Sequence, residues 1–171
     1  TRAFDDKGRQ IIAVSRGLLS RIQAETKNFV SDLRDATELD GDLATALEAI
    51  ATRHSGEVEV RAEFAAPPPL LPGGSIHHLR MIARESVTNA LKHAAATQVV
   101  IHVEVQSGRL LLQIKDNGRG FDVGAETLGK SGHFGCVGMR ERARKIGAQV
   151  AWHSAPGRGT TVEVILPLAP E

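Results

Sequence analysis

In the segment RESVTNALKHA, Glu85, Asn89 and Lys92 stand at i, i+4 and i+7, the spacing that puts side chains on one helical face, and His93 lies alongside. A carboxylate, an amide oxygen and an ammonium grouped in this way suit a hydrated Mg²⁺ holding a polyphosphate. Mg²⁺ takes oxygen ligands while keeping several waters, and lysine neutralises phosphate charge. A solvated face is the ordinary explanation for such a pattern. It does not favour asparagine at its centre, a weak helix former without charge. Further on, KDNGRGFD sets Asp116 at the end of an aliphatic run, with Gly118 and Gly120 following at alternate positions. A carboxylate accepts a hydrogen bond from an exocyclic amine such as that of adenine, and glycines leave room for a flat base. A plain glycine turn with an Asx cap would have the same local sequence. The third cluster, GHFGCVGMRERA, places Gly132, Gly135 and Gly138 before a helix whose free N–H groups and dipole favour phosphate. It carries no Walker GKS or GKT tripeptide, and no strand directly precedes it as a Rossmann fingerprint requires. Taken alone, it would equally describe a mobile loop.

These residues need elements to hold them. Ile76, Leu79, Ala83, Val87, Ala90 and Ala94 recur at helical spacing and predict a helix over Ser75–Ala95 with that side buried. QVVIHVEV and LLLQIK, joined by QSGR, read as a hairpin, and QVAWHS and TTVEVIL, joined by APGRG, as a second. Between them a helix is expected from about Gly138 to Lys145. Upstream, EVEVRAEF alternates as a half-exposed strand, and the prolines of APPPLLPGG break the chain. LDGDLATALEAIATRHSG predicts a short helix capped by Asp42 and stopped at Gly56. Residues 1 to about 40 read as a helix with one apolar stripe, Phe4, Ile11, Leu18, Ile22, Phe29 and Leu33. Such a stripe serves a helix packed on its own domain or one facing a partner, and its place at the start of the chain favours the partner. Helices on one side of a largely antiparallel sheet make an α+β sandwich.

The composition excludes several classes. The 171 residues suffice for one compact unit and an accessory segment. A formal net charge of +1 gives no broad attraction to nucleic acid or anionic membrane. Without tyrosine and with one tryptophan, the chain offers no stacking platform for single strands. A single cysteine rules out an internal disulfide and fits a reducing compartment. No long apolar run or export signal is present, although the chain starts inside helix-like sequence and a longer parent could carry a membrane segment.

Order and spacing carry more than any single cluster. An asparagine helix, a hairpin, DxGxG, a glycine lid opening onto a helix, and a final hairpin with GRGT together resemble the GHKL (Bergerat-fold) ATP-binding domain. Within that superfamily the resemblance is to sensor histidine kinases of two-component systems. RESVTNALKHA looks like their N box, DNGRGFD like the G1 box and GHFGCVGMRERA like the G2 box. The short lid and the GMRER continuation are similar to kinases that partner NarL-type response regulators. The likeness covers about residues 57–167, and FVSDLRDATELDGDLATALEAIA looks like the end of a dimerisation helix with its link.

The resemblance implies a Bergerat-fold α/β sandwich, mostly antiparallel, with helices on one face and an N-terminal helix before it. Residues 1–40 would be the end of the dimerisation helix, 41–56 a short linking helix and 57–171 the catalytic domain. It implies ATP and Mg²⁺, with Asn89 coordinating the metal and Glu85 acting near the phosphoryl-accepting group. Lys92 and His93 would reach the phosphates, and Asp116 would bind the adenine amine in a pocket shaped by Gly118 and Gly120. Gly135 and Gly138 would shape the lid and phosphate side, and Thr160 would support the adenine end. The implied function is the ATP-dependent catalytic portion of a histidine kinase, cytoplasmic or the cytoplasmic part of a membrane-bound sensor. Its partners would be a NarL-type response regulator and a second copy through the N-terminal helix, with no nucleic acid. The alternative is an anti-sigma-factor-like serine kinase or a non-catalytic ATP-binding module of the same fold. Two departures stand out. Cys136 takes a place where an aliphatic residue is expected. None of the seven histidines, His54, His77, His78, His93, His102, His133 and His153, is followed by an acidic residue as the family's acceptor is.

Overall fold

Ser107 and Gly108 both have positive φ, 52° and 70°, as a type I′ turn demands, and this two-residue turn sets the register of the central hairpin. In this computed structural model the strands are β1 (Glu59–Phe64), β2 (Gln98–Gln106), β3 (Arg109–Asp116), β4 (Gln149–Ser154) and β5 (Thr160–Pro167). The residues described are 42–53, 58–123 and 134–168, together with Gly8, Ile11, Ile12 and Ser15, which are helical. The chain divides into two units, Thr1–Glu38 and Leu39–Glu171. The other residues of the expected N-terminal helix, Gly56, and most of the lid expected between Val123 and Val137 lie outside the described residues.

The second unit is built on a five-stranded sheet in the order β1-β2-β3-β5-β4. β1 runs parallel to β2, and the other pairs are antiparallel. Alternation decides which face is covered. Val99, Ile101 and Val103 on β2, Leu110, Leu112 and Ile114 on β3, and Val162, Val164 and Leu166 on β5 are all buried. Register stacks them in rows across the strands. Ile101, Ile114, Val162 and Trp152 form one row, and the next row towards the end of the sheet is Val99, Asp116, Thr160 and Ser154. The covered face therefore changes from aliphatic to polar within one row.

Three helices belong to the same core. In α1 (Leu43–Arg53), Asp42 Oδ1 accepts the Thr45 N–H at 2.8 Å and caps the first turn. That bond holds the Asp42 carboxyl below its usual range. Leu43, Leu47 and Ile50 are buried with the sheet residues, so the segment expected as a link contributes to this core. α2 (Gly73–Asn89) begins two residues before the expected Ser75, because the Pro72 carbonyl accepts the Ser75 and Ile76 N–H groups. All six expected apolar positions of this segment are buried.

The segment does not stay α-helical to Ala95. After Asn89, the turn Ala90–Ala94 is closed i→i+5, and Ala95, at φ 51°, ends it in the left-handed region. α3 (Phe134–Lys145) begins four residues before the expected Gly138. Cys136, Met139 and Ala143 form its buried stripe, and their packing overrides the poor helix propensity of the glycines. Gly147, at φ 70°, closes α3: Ala148 N–H bonds the Ala143 carbonyl and Gly147 N–H that of Arg144, a Schellman end. Among the described residues no helix is long and apolar enough to cross a membrane.

Candidate functional site

A cavity of about 650 Å³ opens at the polar end of the covered face. Ile114, Val162 and Trp152 of the sheet line its apolar end, with Cys136 and Met139 of α3. Ser86 and Asn89 of α2 and Ala90, His93 and Ala94 of the wide turn form one wall. The segment Arg119–Asp122, Pro156 and Thr160 close the side beside Asp116.

Asp116 continues the buried row of β3 and is only 8% exposed. Its Oδ1 accepts the Gly118 N–H at 2.8 Å, and the Thr160 N–H and hydroxyl also donate to this carboxylate. Burial pushes its pKa above the ordinary value of 3.8, and the three hydrogen bonds only partly oppose it. The next residue, Asn117, acts as a staple. Its Oδ1 accepts the Thr97 and Gln98 N–H groups at 2.9 and 3.0 Å, and its Nδ2 donates to Thr97 Oγ1 at 2.8 Å. These bonds tie the exit of β3 to the entry of β2.

The glycines after Asp116 are required by close approach. A Cβ on Gly118 would overlap the Ala94 carbonyl, which the Arg119 N–H bonds at 2.8 Å. Gly120 has φ +60°, and a Cβ there would run into the Ala155 carbonyl. Gly159, which sequence reasoning did not single out, has φ +68° and lies against the Asp116 carbonyl.

The face of α2 is more selective than its helical spacing suggests. Glu85 and Asn89 are half-buried and meet at Gly135 in the first turn of α3. A Cβ on Gly135 would overlap Glu85 Oε1, and Asn89 Nδ2 would lie 3.4 Å from it. Asn89 lines the cavity, whereas Glu85 lies behind it against Gly135. Lys92 does not join them: it is exposed and lines no part of the cavity, while His93 does. The wide turn is the cause. An i→i+5 turn holds about one residue more than an α turn, so the residue returning to the face of Asn89 comes one position later. Gly135 lines the cavity, but Gly138 does not, and no atom lies within 4 Å of a Cβ built on it. Sequence reasoning had Gly135 in the lid and Gly138 at the start of the helix; with α3 starting at Phe134, both are helical.

Sequence reasoning also missed Ser154, Trp152, Met139 and Arg119. Trp152 lines the cavity, and Ser154 bonds its lining residues Phe121 and Thr160, only because β4 pairs with β5, and nothing local in QVAWHS signals that pairing. Arg140 of α3 lies over the Trp152 ring, 5.1 Å from its centroid. Among the described residues no group of three or more His, Cys, Asp or Glu could hold a metal. Asn89 at the cavity wall, with the Glu85 carboxylate beside it against Gly135, offers oxygen donors of the kind taken by an ion that uses few protein ligands and keeps its waters.

Residues 74–170 match the family of histidine kinase-, DNA gyrase B- and HSP90-like ATPases, and the chain belongs to that family. Over 171 residues it is 30% identical to the nitrate/nitrite sensor protein NarX of Escherichia coli, covering 99% of this chain and 28% of NarX. The sensor protein VraS of Staphylococcus haemolyticus is 33% identical over 159 residues, 93% of this chain and 45% of VraS. The chain thus spans less than half the length of these two relatives. The fold is also that of the solved ATP binding domain of PrrB from Mycobacterium tuberculosis. That structure has a TM-score of 0.60 and 22% identity, over 76% of this chain and 96% of the other.

Proposed function

We propose that this chain is the ATP-binding catalytic portion of a sensor histidine kinase, which positions Mg-ATP for transfer of its γ-phosphoryl to a histidine on a dimerisation helix. The observation that carries the reading is Asp116, a buried carboxylate held by Gly118 and Thr160 beside a cavity of nucleotide size. Adenine presents an amine to such an acceptor. Guanine presents a carbonyl there, and two acceptors face to face leave both unpaired. Ile114, Val162 and Trp152 give the base an apolar bed.

The α2 wall and the start of α3 then form the phosphate side. The first N–H groups of α3 favour the phosphates, and His93 and the outward-lying Lys92 add donors that can turn towards them. Mg²⁺, held through the Asn89 amide oxygen, would neutralise charge on the β- and γ-phosphates. Glu85, beside Asn89 and outside the cavity, would act near the phosphoryl-accepting imidazole. In the transfer, the bond from the γ-phosphorus to its bridging oxygen breaks as a bond to the imidazole nitrogen forms, and ADP leaves. Phosphoryl transfer depends chiefly on positioning and charge neutralisation, which these residues supply.

The match to NarX runs over nearly the whole chain, including the first forty residues. It supports a dimer through the N-terminal helix and a NarL-type response regulator as the next phosphoryl acceptor, in the cytoplasm. It weighs against an anti-sigma-factor-like module. Calorimetry with ATP and GTP in the presence of Mg²⁺ tests the central assignment. ATP should bind at least about tenfold more tightly than GTP, and Asp116→Ala should remove most of the difference. Equal affinity of the wild type for the two nucleotides refutes the role of Asp116.

A further inference from the structure

The Ser154 hydroxyl joins three segments around the cavity. It accepts the Phe121 N–H at 2.9 Å, donates to the Gly159 carbonyl at 2.8 Å and lies 3.1 Å from Thr160 Oγ1. Phe121 belongs to the segment that leaves Asp116, Gly159 to the β4–β5 turn, and Thr160 to the start of β5. Ser154 stands opposite Thr160 across the strand pair, and Thr160 stands opposite Asp116 in turn. We propose that Ser154 is a positioning residue for the base-binding end of the cavity, acting through Thr160 on Asp116. This inference rests on the nucleotide-binding reading above.

Counting hydrogens explains why the position matters. An ionised carboxylate has about four acceptor sites. The Gly118 N–H takes one at 2.8 Å, and Thr160, paired opposite on β5, favours the ionised form. What remains for a ligand's amine is set in direction by where these groups hold the carboxylate. The Thr160 hydroxyl has a single proton, which either Asp116 or Ser154 can take. When Asp116 takes it, Thr160 Oγ1 keeps its lone pairs towards Ser154, whose own proton can turn from the Gly159 carbonyl to meet them. The chain Ser154 to Thr160 to Asp116 then runs in one direction, each donation strengthening the next. Without the serine hydroxyl, Thr160 loses the partner that keeps its proton on Asp116. The Phe121 N–H loses its acceptor at the same time, so the two sides of the base site loosen together.

The test uses the full 171-residue chain, with ATP and GTP as probes. Ser154→Ala should weaken ATP binding about fivefold to tenfold and lower the ATP-to-GTP preference by a similar factor, as expected for a lost hydrogen bond to a bound group. Ser154→Thr keeps the oxygen and should return both quantities to within about twofold of wild type. Thr160→Val should show a loss like that of Ser154→Ala, and the double variant no more than the larger single loss, because the two act in one chain. A Ser154→Ala protein that melts lower but keeps the wild-type ATP-to-GTP preference overturns the inference, as do fully additive losses. If the wild type prefers ATP while Ser154→Ala matches it, this inference fails alone. If the wild type binds no ATP, the nucleotide reading fails with it.

Discussion

Replacing Gly135 and Gly138 by alanine, one at a time, measures the contact between α3 and Glu85 as a stability difference. Both glycines are helical in α3, within one turn of each other, and both lose backbone entropy that alanine would not. Gly138 has open space around its missing Cβ. Gly138→Ala should therefore stabilise the protein by about 0.5–1 kcal/mol, a rise of roughly 1–4 °C in melting temperature. Gly135 stands in the first turn, where the propensity gain is smaller, and its Cβ would overlap Glu85 Oε1 with Glu85 Cδ at 3.2 Å. The carboxylate is the far end of a flexible side chain, so it can move, at a cost of about 0.5–1.5 kcal/mol for an off-rotamer arrangement. Gain and cost nearly cancel, so Gly135→Ala should leave the melting temperature almost unchanged or slightly lower. In Glu85→Ala the obstacle is gone, and adding Gly135→Ala should then stabilise. The assay is thermal unfolding of the four nucleotide-free proteins, with the coupling read from the double-mutant cycle. If Gly135→Ala stabilises as much as Gly138→Ala in the wild-type background, Glu85 does not rest on Gly135 and the reasoning is wrong.

Three further outcomes are expected. Because burial raises the Asp116 pKa in the folded state, the folded protein holds that proton more tightly than the unfolded chain. Asp116 therefore lowers stability as pH rises from about 3.8 through its raised folded-state value. Denaturant titrations of wild type and Asp116→Ala should differ by this falling slope, and identical slopes would dispose of it. Asn89→Ala should weaken Mg-ATP binding at least tenfold, about 1.4 kcal/mol, while changing metal-free ATP binding much less. Equal losses with and without Mg²⁺ would remove the metal role. With radiolabelled ATP the chain itself should stay unlabelled, since His77 is buried, His102 and His153 lie on strands, and His93 lines the cavity. Acid-labile label should appear on an added fragment carrying an acceptor helix, and stable labelling of this chain would contradict the assignment.

The sheet and the site were not equally legible in the sequence. Strict alternation in EVEVRAEF and LLLQIK leaves few ways to arrange a strand, and Asp116 at the end of its run announces a polar break. The order of boxes located Asn89, Asp116, Gly118 and Gly120, and the structure brings them to one region. The start of α3 was hidden because GHFG has the composition of a loop, and only tertiary packing of Cys136 and Met139 makes it helical. The wide turn was hidden because its apolar positions fit an α-helix equally well: Ala90 and Ala94 are buried either way. Ser154 was hidden because its neighbours come from strand register, which no local window contains.

The turn Ala90–Ala94 also fixes how much chain the site can tolerate. It holds one residue more than a regular helix would need to cover the same rise, and that surplus brings His93 rather than Lys92 to the cavity. Its last residue, Ala94, accepts the Arg119 N–H and fills the space where Gly118 lacks a side chain. Asn117 ties Thr97 and Gln98 to the same place. Removing a single residue between Asn89 and Ala95 would let the segment relax into a smoother helix, and the core could accept the change. It would also leave the chain one residue short of the loop it closes against. The segment is thus held in length by the contacts at its end, while Lys92 faces solvent.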